Sequence, residues 1–336
     1  MGVKVSGLPA LSLRGFQHLQ DLALGRRRPF SITCILTNRC NFRCSYCNIP
    51  AEDSSELSTQ AWCDALSELR AVGLVRASFS GGEAMLRDDA PFIIAHAKAL
   101  GLSTSLNSNG WLTDAHIEEL AKSLDVLMIS LDGPQAVHDR QRDRPGSFDR
   151  ALATLDHAKQ LGVATTSITV LTAHNLDVVM PMLELAKAHR FTAYFQPAHQ
   201  DCFGRDRGLD PAFDPGVARQ IAAQLRQAAA QGWPVGASAG FLQRLENAPQ
   251  FHDCSRCLAG RFFATILPDG TLIPCHLTRR DHPWPGGAKI GFARAFQELQ
   301  RPSPGSGCAI SPYQETDLIL RADPSAIGSA LKQLLH

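Results

Sequence analysis

Cysteine is the residue whose spacing carries chemistry in this chain, and ten are present. Cys40, Cys44 and Cys47 stand in the run Cys40-Asn41-Phe42-Arg43-Cys44-Ser45-Tyr46-Cys47. Three thiolates spaced C-x3-C-x2-C can hold three irons of a [4Fe–4S] cluster and leave the fourth iron open to a ligand. Zinc is the structural alternative, but a closed zinc site takes four ligands and usually pairs C-x2-C units. A second group opens with Cys254 and Cys257, followed after 17 residues by Cys275 and after 32 more by Cys308. Four soft ligands with one C-x2-C pair suit zinc or an iron–sulfur cluster almost equally. His276 is a further candidate ligand beside them. Clustered cysteines in a chain of 336 residues without a secretion signal read as ligands before they read as disulfides. Cys34, within a strand, and Cys63, on a helix, read as small buried hydrophobes.

The elements that must position these residues alternate. Strand patterns fall at Ser31–Leu36, Val75–Ser80, Leu102–Leu106, Val126–Leu131, Thr165–Val170 and Thr192–Gln196. Each is short, apolar or β-branched, and ends near Gly, Asn, Asp or Pro. Helical patterns lie between them at Leu57–Val72, Ala90–Leu100, Asp114–Ser123, Phe148–Leu161 and Leu176–His189. Six strands alternating with helices predict a parallel sheet with right-handed crossovers, open or curled into an incomplete barrel. The first cysteine run directly follows a strand, so it occupies a loop at a strand's C-terminal end, where β/α barrels place their chemistry. After Ala198 the rhythm changes. Residues 201–216 read as a loop or boundary, Val217–Gln231 and Ser325–Leu335 as helices, and Thr265–Ile273 as a hairpin around Pro268-Asp269-Gly270. The expected division is an extension over 1–28, a barrel over 29–200, a linker and helix over 201–250, and a cysteine-rich region over 251–336.

Composition bounds the function. At 44% hydrophobic and 19% charged residues the chain can bury a full core, which excludes a mainly disordered protein. Thirty-three Lys and Arg against 32 Asp and Glu leave a net charge of +1, so no global imbalance argues for nucleic acid or an anionic membrane. No apolar run approaches the ~18 residues of a spanning helix, and the N-terminal residues lack a compact apolar stretch before a small-residue cleavage site, so secretion is not expected. The expectation is a soluble, cytoplasmic protein.

Four motifs agree in order and position with one family. The C-x3-C-x-aromatic-C loop, with Tyr46 at the aromatic place, resembles the signature of the radical S-adenosylmethionine (SAM) superfamily. Gly81-Gly82-Glu83 after the second strand is similar to that family's GGE motif, which contacts the SAM amino group. Asn107-Ser108-Asn109-Gly110 after the third strand resembles its T-N-G turn. Ser130-Leu131-Asp132-Gly133-Pro134, His138-Asp139, Arg142 and Gly146-Ser147-Phe148-Asp149 are similar to a run found in radical SAM enzymes with SPASM or twitch auxiliary domains. The resemblance spans residues 29–200. Downstream, the C-x2-C-x-A-G…P-D-G-x3-P-C arrangement resembles the auxiliary-cluster region of those enzymes. No further dense set of cysteines follows Cys308, which favours the smaller twitch arrangement.

The resemblance implies a partial (β/α)6 radical SAM barrel with a C-terminal twitch- or SPASM-like extension. It implies a SAM-binding [4Fe–4S] cluster on Cys40, Cys44 and Cys47. SAM contacts would come from Tyr46, Gly81, Gly82, Glu83, Asn109, Ser130, Asp132 and Arg142. An auxiliary [4Fe–4S] cluster would sit on Cys254, Cys257, Cys275 and Cys308, the last being the least secure ligand. The implied reaction is reductive cleavage of SAM to a 5′-deoxyadenosyl radical that abstracts hydrogen from a substrate C–H bond, in natural-product or cofactor biosynthesis. The substrate is a peptide or small molecule, and a flavodoxin or ferredoxin would supply electrons. Only residues 1–28 precede the barrel, too few for a peptide-recognition domain, so a peptide is expected to dock directly or through a separate partner. His199, Asp201 and Cys202 form a polar set at the barrel mouth and are candidates for substrate contact or acid/base work. Competing readings are adenosyl transfer to an apolar substrate, or a non-catalytic iron–sulfur or zinc-stabilised binding protein.

Overall fold

A computed structural model of the chain describes residues 20–22, 24–51, 54–198, 215–247, 257–278, 283–302, 308 and 310–335. Six strands, β1 (Ser31–Ile35), β2 (Arg76–Ser80), β3 (Ser103–Ser108), β4 (Val126–Ser130), β5 (Ala164–Leu171) and β6 (Thr192–Pro197), pair in sequential order, all parallel. The expected β/α alternation is therefore present. The hairpin is present too, as β7 (Phe263–Ile266) and β8 (Leu272–Ile273), turning at Gly270 with φ +86°. Its placement was not foreseeable from the pattern. β7 pairs parallel with β1, from Ser31 opposite Phe263 to Cys34 opposite Ile266, so the cysteine-rich region extends the barrel's own sheet.

The two faces of the sheet differ in chemistry, and register shows which is which. Ile35 lies beside Ser80, Asn107 beside Met128, Ser130 beside Ile168, and Val170 beside Gln196. Successive side chains alternate between faces, so these residues, with Thr33, Arg76, Ser78, Ser105, Thr166 and Tyr194, share one largely polar face. The opposite face carries Ile32, Cys34, Ala77, Phe79, Leu106, Leu127, Ile129 and Phe195, all buried in the main core under the helices. Cys34 is one of these packed residues, as expected of an unliganded buried cysteine. The polar face is the concave one: Ile35, Ser80, Asn107, Ser130 and Val170, from five successive strands, line one cavity.

The helices on the apolar face are α1 (Thr59–Ala71), α2 (Ala90–Ala99), α3 (Gln135–Arg142), α4 (Ser147–Gln160) and α5 (Val179–His189). Ser58 caps α1 by accepting from Ala61 N at 3.2 Å, and Trp62, Leu66 and Leu69 form its buried stripe. Two expectations change. Asp114–Ser123 is not one helix but a 3₁₀ turn, Thr113–His116, followed by a single α-turn, Ile117–Leu120. Asp114 is engaged by His157 at 2.9 Å, and the strand hydrogen bond from Asp125 N to Thr104 O leaves no room for further turns. The second is α5, which starts at Val179 after a 3₁₀ turn rather than at Leu176. Pro181 lacks an N–H and is tolerated only in a first helical turn, which sets that start.

Beyond β6 lie α6 (Pro215–Ala230) and α7 (Ala239–Glu246), and after the hairpin come α8 (Phe292–Glu298), α9 (Ser311–Leu320) and α10 (Pro324–Leu335). Sequence reading missed α3, α7, α8 and α9, all ten residues or fewer. Among the described residues no helix is long and apolar enough to cross a membrane.

Candidate active site

The loop after β1 is held against the loop after β2 by contacts only glycine permits. A Cβ on Gly81 would stand 2.6 Å from Thr37 O, and one on Gly82 would stand 2.4 Å from Arg39 O. Gly82 N donates to Thr37 O at 2.8 Å and Glu83 N to Arg39 O at 2.9 Å, which fixes where the cysteine run begins. Below this junction Arg87 pairs with Asp89 at 2.6 Å and Glu56 at 3.2 Å, and Glu56 also pairs with Arg39 at 3.0 Å.

Glu83 is 1% exposed and its carboxylate is occupied from several sides. Oε1 accepts from Met85 N at 3.1 Å, Oε2 from Asn109 N at 2.8 Å, and Ser108 Oγ lies 3.0 Å from both oxygens. Burial raises its pKa, opposed by those hydrogen bonds. The structure thus places Glu83 as a clasp between the β2 and β3 loops. Asn109 continues the chain of contacts, donating from Nδ2 to Asn41 Oδ1 at 2.8 Å within the cysteine run.

On the other side, Gly133 at φ +155° and Pro134 turn the chain from β4 into α3. His138, Gln141 and Arg142, spaced three and four residues apart, form the buried face of that helix. Asp132, fully buried, accepts from Arg142 Nε at 2.6 Å, Tyr46 Oη at 3.0 Å and Val170 N at 2.9 Å. Burial works hardest against the Arg142 charge, but Asp132, Tyr46 and Cys44 together outweigh it and hold the guanidinium firmly protonated. Arg142 Nη1 then reaches Cys44 Sγ at 3.8 Å, with its guanidinium carbon 5.5 Å from the centre of the Tyr46 ring.

These loops enclose a cavity of about 180 Å³ at the C-terminal ends of the strands. Cys40, Cys44 and Cys47 line it, with Tyr46, Gly81, Gly82, Asn109, Ser130 and Arg142. Glu83 and Asp132 stand behind that lining. Of the eight expected SAM contacts, six therefore face one space and two brace the residues that do. Burial pushes Cys40 up to about 11 and Cys47 up to about 12, and raises Cys44 as well. Among the described residues no three His, Cys, Asp or Glu side chains are gathered as ligands of a single metal ion. The thiols instead line one cavity beside a fixed cation. The donor set fits a polynuclear centre taking one thiolate per iron, because ligation supplies the charge that burial otherwise withholds.

Three of the four later cysteines also meet. Cys257, Cys275 and Cys308 pack in one buried cluster with Leu258, Phe262, Phe263 and Tyr313. Burial raises the Cys257 thiol, and Cys308 and Cys275 lie close enough to raise it further. Cys254 lies outside the described residues, as do His199, Asp201 and Cys202. His276, next to Cys275, lines the first cavity, so the two thiol groups are joined by consecutive residues. Sequence reading missed Asn41, Gln141 and Asn175. Asn175 Nδ2 bridges Asp132 O at 2.8 Å and Val170 O at 3.0 Å. Nothing in their spacing announced them.

Comparison with known proteins agrees with this geometry. Residues 34–186 match the family model of the Radical SAM superfamily. The wider fold is shared with Streptococcus suis SuiB at TM-score 0.68 and 13% identity, over 84% of this chain and 69% of that one. SuiB bound to its precursor peptide SuiA superposes at TM-score 0.65, with 13% identity over 84% and 70%. Native anSMEcpe with bound AdoMet and the Kp18Cys peptide gives TM-score 0.60 and 14% identity, over 90% of this chain and 99% of that one.

Proposed function

We propose that this protein is a radical SAM enzyme of the SPASM/twitch kind that oxidises or crosslinks a peptide or small molecule. The observation that carries the reading is the convergence of Cys40, Cys44 and Cys47 with Arg142, Ser130, Asn109 and the Gly81-Gly82 turn on one cavity. Cys40, Cys44 and Cys47 would hold a [4Fe–4S] cluster with one iron open to SAM. Bound together, cluster and SAM supply a carbon radical able to take hydrogen from an unactivated C–H bond. The chain's own task is positioning and exclusion of water. Arg142, anchored by Asp132, places a fixed positive charge beside Cys44 and offsets the charge of the thiolates. Gly81 and Gly82 expose backbone to the SAM amino acid, and Ser130 and Asn109 offer hydrogen bonds to its ribose and base.

Cys254, Cys257, Cys275 and Cys308 would hold an auxiliary [4Fe–4S] cluster, and a flavodoxin or ferredoxin would deliver the electron. The buried grouping of Cys257, Cys275 and Cys308 supports the first of these. The peptide complexes of SuiB and anSMEcpe, on a shared fold, support a peptide as substrate.

The test is anaerobic reconstitution with iron and sulfide, iron counting, and addition of SAM with a strong reductant. About eight irons per chain and formation of 5′-deoxyadenosine are expected. A fully loaded first cluster that leaves SAM uncleaved, even with candidate substrates present, overturns the reading.

A further inference from the structure

The concave face of the barrel contains a cation that no carboxylate among the described residues answers. Arg76 opens β2, on the same face as Ser78 and Ser80, and its Nη2 donates to Ser105 Oγ on β3 at 3.2 Å. Among the described residues it makes no ion pair. Other arginines held within this fold are treated differently: Arg142 has Asp132, and Arg87 has both Asp89 and Glu56. Burial presses the Arg76 pKa down, with only the Tyr194 phenol acting against it. Leaving a cation at such depth without a counter-charge is costly.

Two further groups on the same face are unsatisfied. Thr166 Oγ1, on β5, and Gln196 Oε1, on β6, are buried without a hydrogen-bond partner among the described residues. Register puts Thr166 on the concave side two places before Ile168, and Gln196 directly beside Val170, which lines the cavity below the cysteine run. On the β6 side the lower end of this interior is covered. Val235 bridges to Ala193, and Gly236 lies so close to Tyr194 that a Cβ there would fall 2.5 Å from the ring. Ser329 Oγ of α10 donates to Gly236 O at 2.8 Å, which fastens the C-terminal helix over the same place. Arg76 keeps part of its surface accessible, and register puts its side chain on the concave face of β2.

From this arrangement we infer that Arg76 is an anion receptor at the floor of the barrel, and that the substrate enters carboxylate first. Arg76 and the Thr166 hydroxyl donate to the carboxylate, and Gln196 Oε1 accepts from an N–H or O–H higher on the same molecule. Four residues of strand, about 13 Å, separate Arg76 from Ser80 at the cavity wall. The substrate is thus long enough to hold an anionic end low in the barrel while presenting a C–H bond near the cysteine loop. The carboxylate belongs either to a free small acid or to a peptide, as its C-terminus or an acidic side chain. The inference deepens the radical SAM reading, on which it rests for the identity of the reacting end.

The experiment is a thermal unfolding series on the anaerobically reconstituted protein at constant ionic strength. Probes are acetate, butyrate and hexanoate against the corresponding primary amides, and triglycine against triglycine amide. Hexanoate or triglycine at 100-fold its Kd is expected to raise Tm by about 5 °C, whereas the amides leave it unchanged. A response to hexanoate alone assigns a small acid, and a response to triglycine assigns a peptide. Arg76→Met abolishes the shift, while Arg76→Lys, which keeps the charge, retains part of it. Equal shifts with carboxylate and amide, or a shift that survives in Arg76→Met, overturn the proposal, as does no shift at any chain length. Formation of 5′-deoxyadenosine is measured in parallel without probe. Intact SAM cleavage with no carboxylate shift sinks the anion receptor alone, and a carboxylate shift with no SAM cleavage, even when candidate substrates are added, sinks the radical reading alone.

Discussion

Arg142 Nε lies 2.6 Å from Asp132 Oδ2, joining the last turn of α3 to the end of β4 in a fully buried ion pair. The pair is the hinge pin of the site. One partner carries the charge that faces Cys44, and the other collects Tyr46 from the cysteine loop and Val170 N from β5.

Breaking this pair from one side leaves a buried charge without its counter-ion. Arg142→Met is therefore expected to cost on the order of 3–5 kcal/mol in urea unfolding, whereas Asp132→Asn combined with Arg142→Met recovers most of that loss. A double variant no more stable than Arg142→Met would show that the two residues act independently.

Gly82→Ala tests the loop junction. The added methyl meets Arg39 O at 2.4 Å, a backbone atom that cannot swing aside, so the cysteine run must move. Destabilisation of about 1–3 kcal/mol and reduced iron after reconstitution are expected. Gly328→Ala in α10 meets nothing within 4 Å and serves as the control, expected to gain about 0.5–1 kcal/mol from helix propensity.

His138 supplies a pH dependence. It is fully buried, its Nδ1 accepts from Asp132 N at 3.1 Å, and burial pushes its pKa down to about 4. The unfolded chain then binds more protons than the folded one between pH 6.5 and 4, so this contribution is complete above that window and declines as pH falls through it. Moving from pH 7 to pH 5 is expected to cost about 2 kcal/mol through this group. Unfolding curves at both values should show the difference, and His138→Gln should shrink it.

The second thiol group predicts a separable loss of metal. Cys257→Ala with Cys275→Ala is expected to lower reconstituted iron from about eight to about four per chain. Reductive SAM cleavage by a chemical reductant should persist, because Cys40, Cys44 and Cys47 are untouched. Retention of all the iron would show that these cysteines are packing residues only.

His276 reports on the junction between the two groups. It lines the first cavity while Cys275 belongs to the second cluster. His276→Ala should leave 5′-deoxyadenosine formation within about twofold and reduce its coupling to substrate, read as the ratio of 5′-deoxyadenosine to product. An unchanged ratio would place His276 outside substrate contact.

Short-range chemistry was legible without the fold. The C-x3-C-x2-C run, the Gly81-Gly82-Glu83 turn and the alternation of strand and helix are local patterns, because ligand spacing, close backbone approach and hydrophobic periodicity each act over a few residues. The β7–β8 hairpin was equally plain, since the Pro268-Asp269-Gly270 turn dictates it. Which sheet edge that hairpin joins was not, because pairing with β1 unites residues more than two hundred positions apart. The same holds for the roles of Glu83 and Asp132. Their types suit ligand contacts, yet burial and the donors brought by β3, β5 and α3 make them braces. Arg76 is the clearest case. In the sequence it is an ordinary strand residue, and only the curling of six strands makes it an interior cation, because an ion pair's presence or absence is a property of what long-range packing places opposite it.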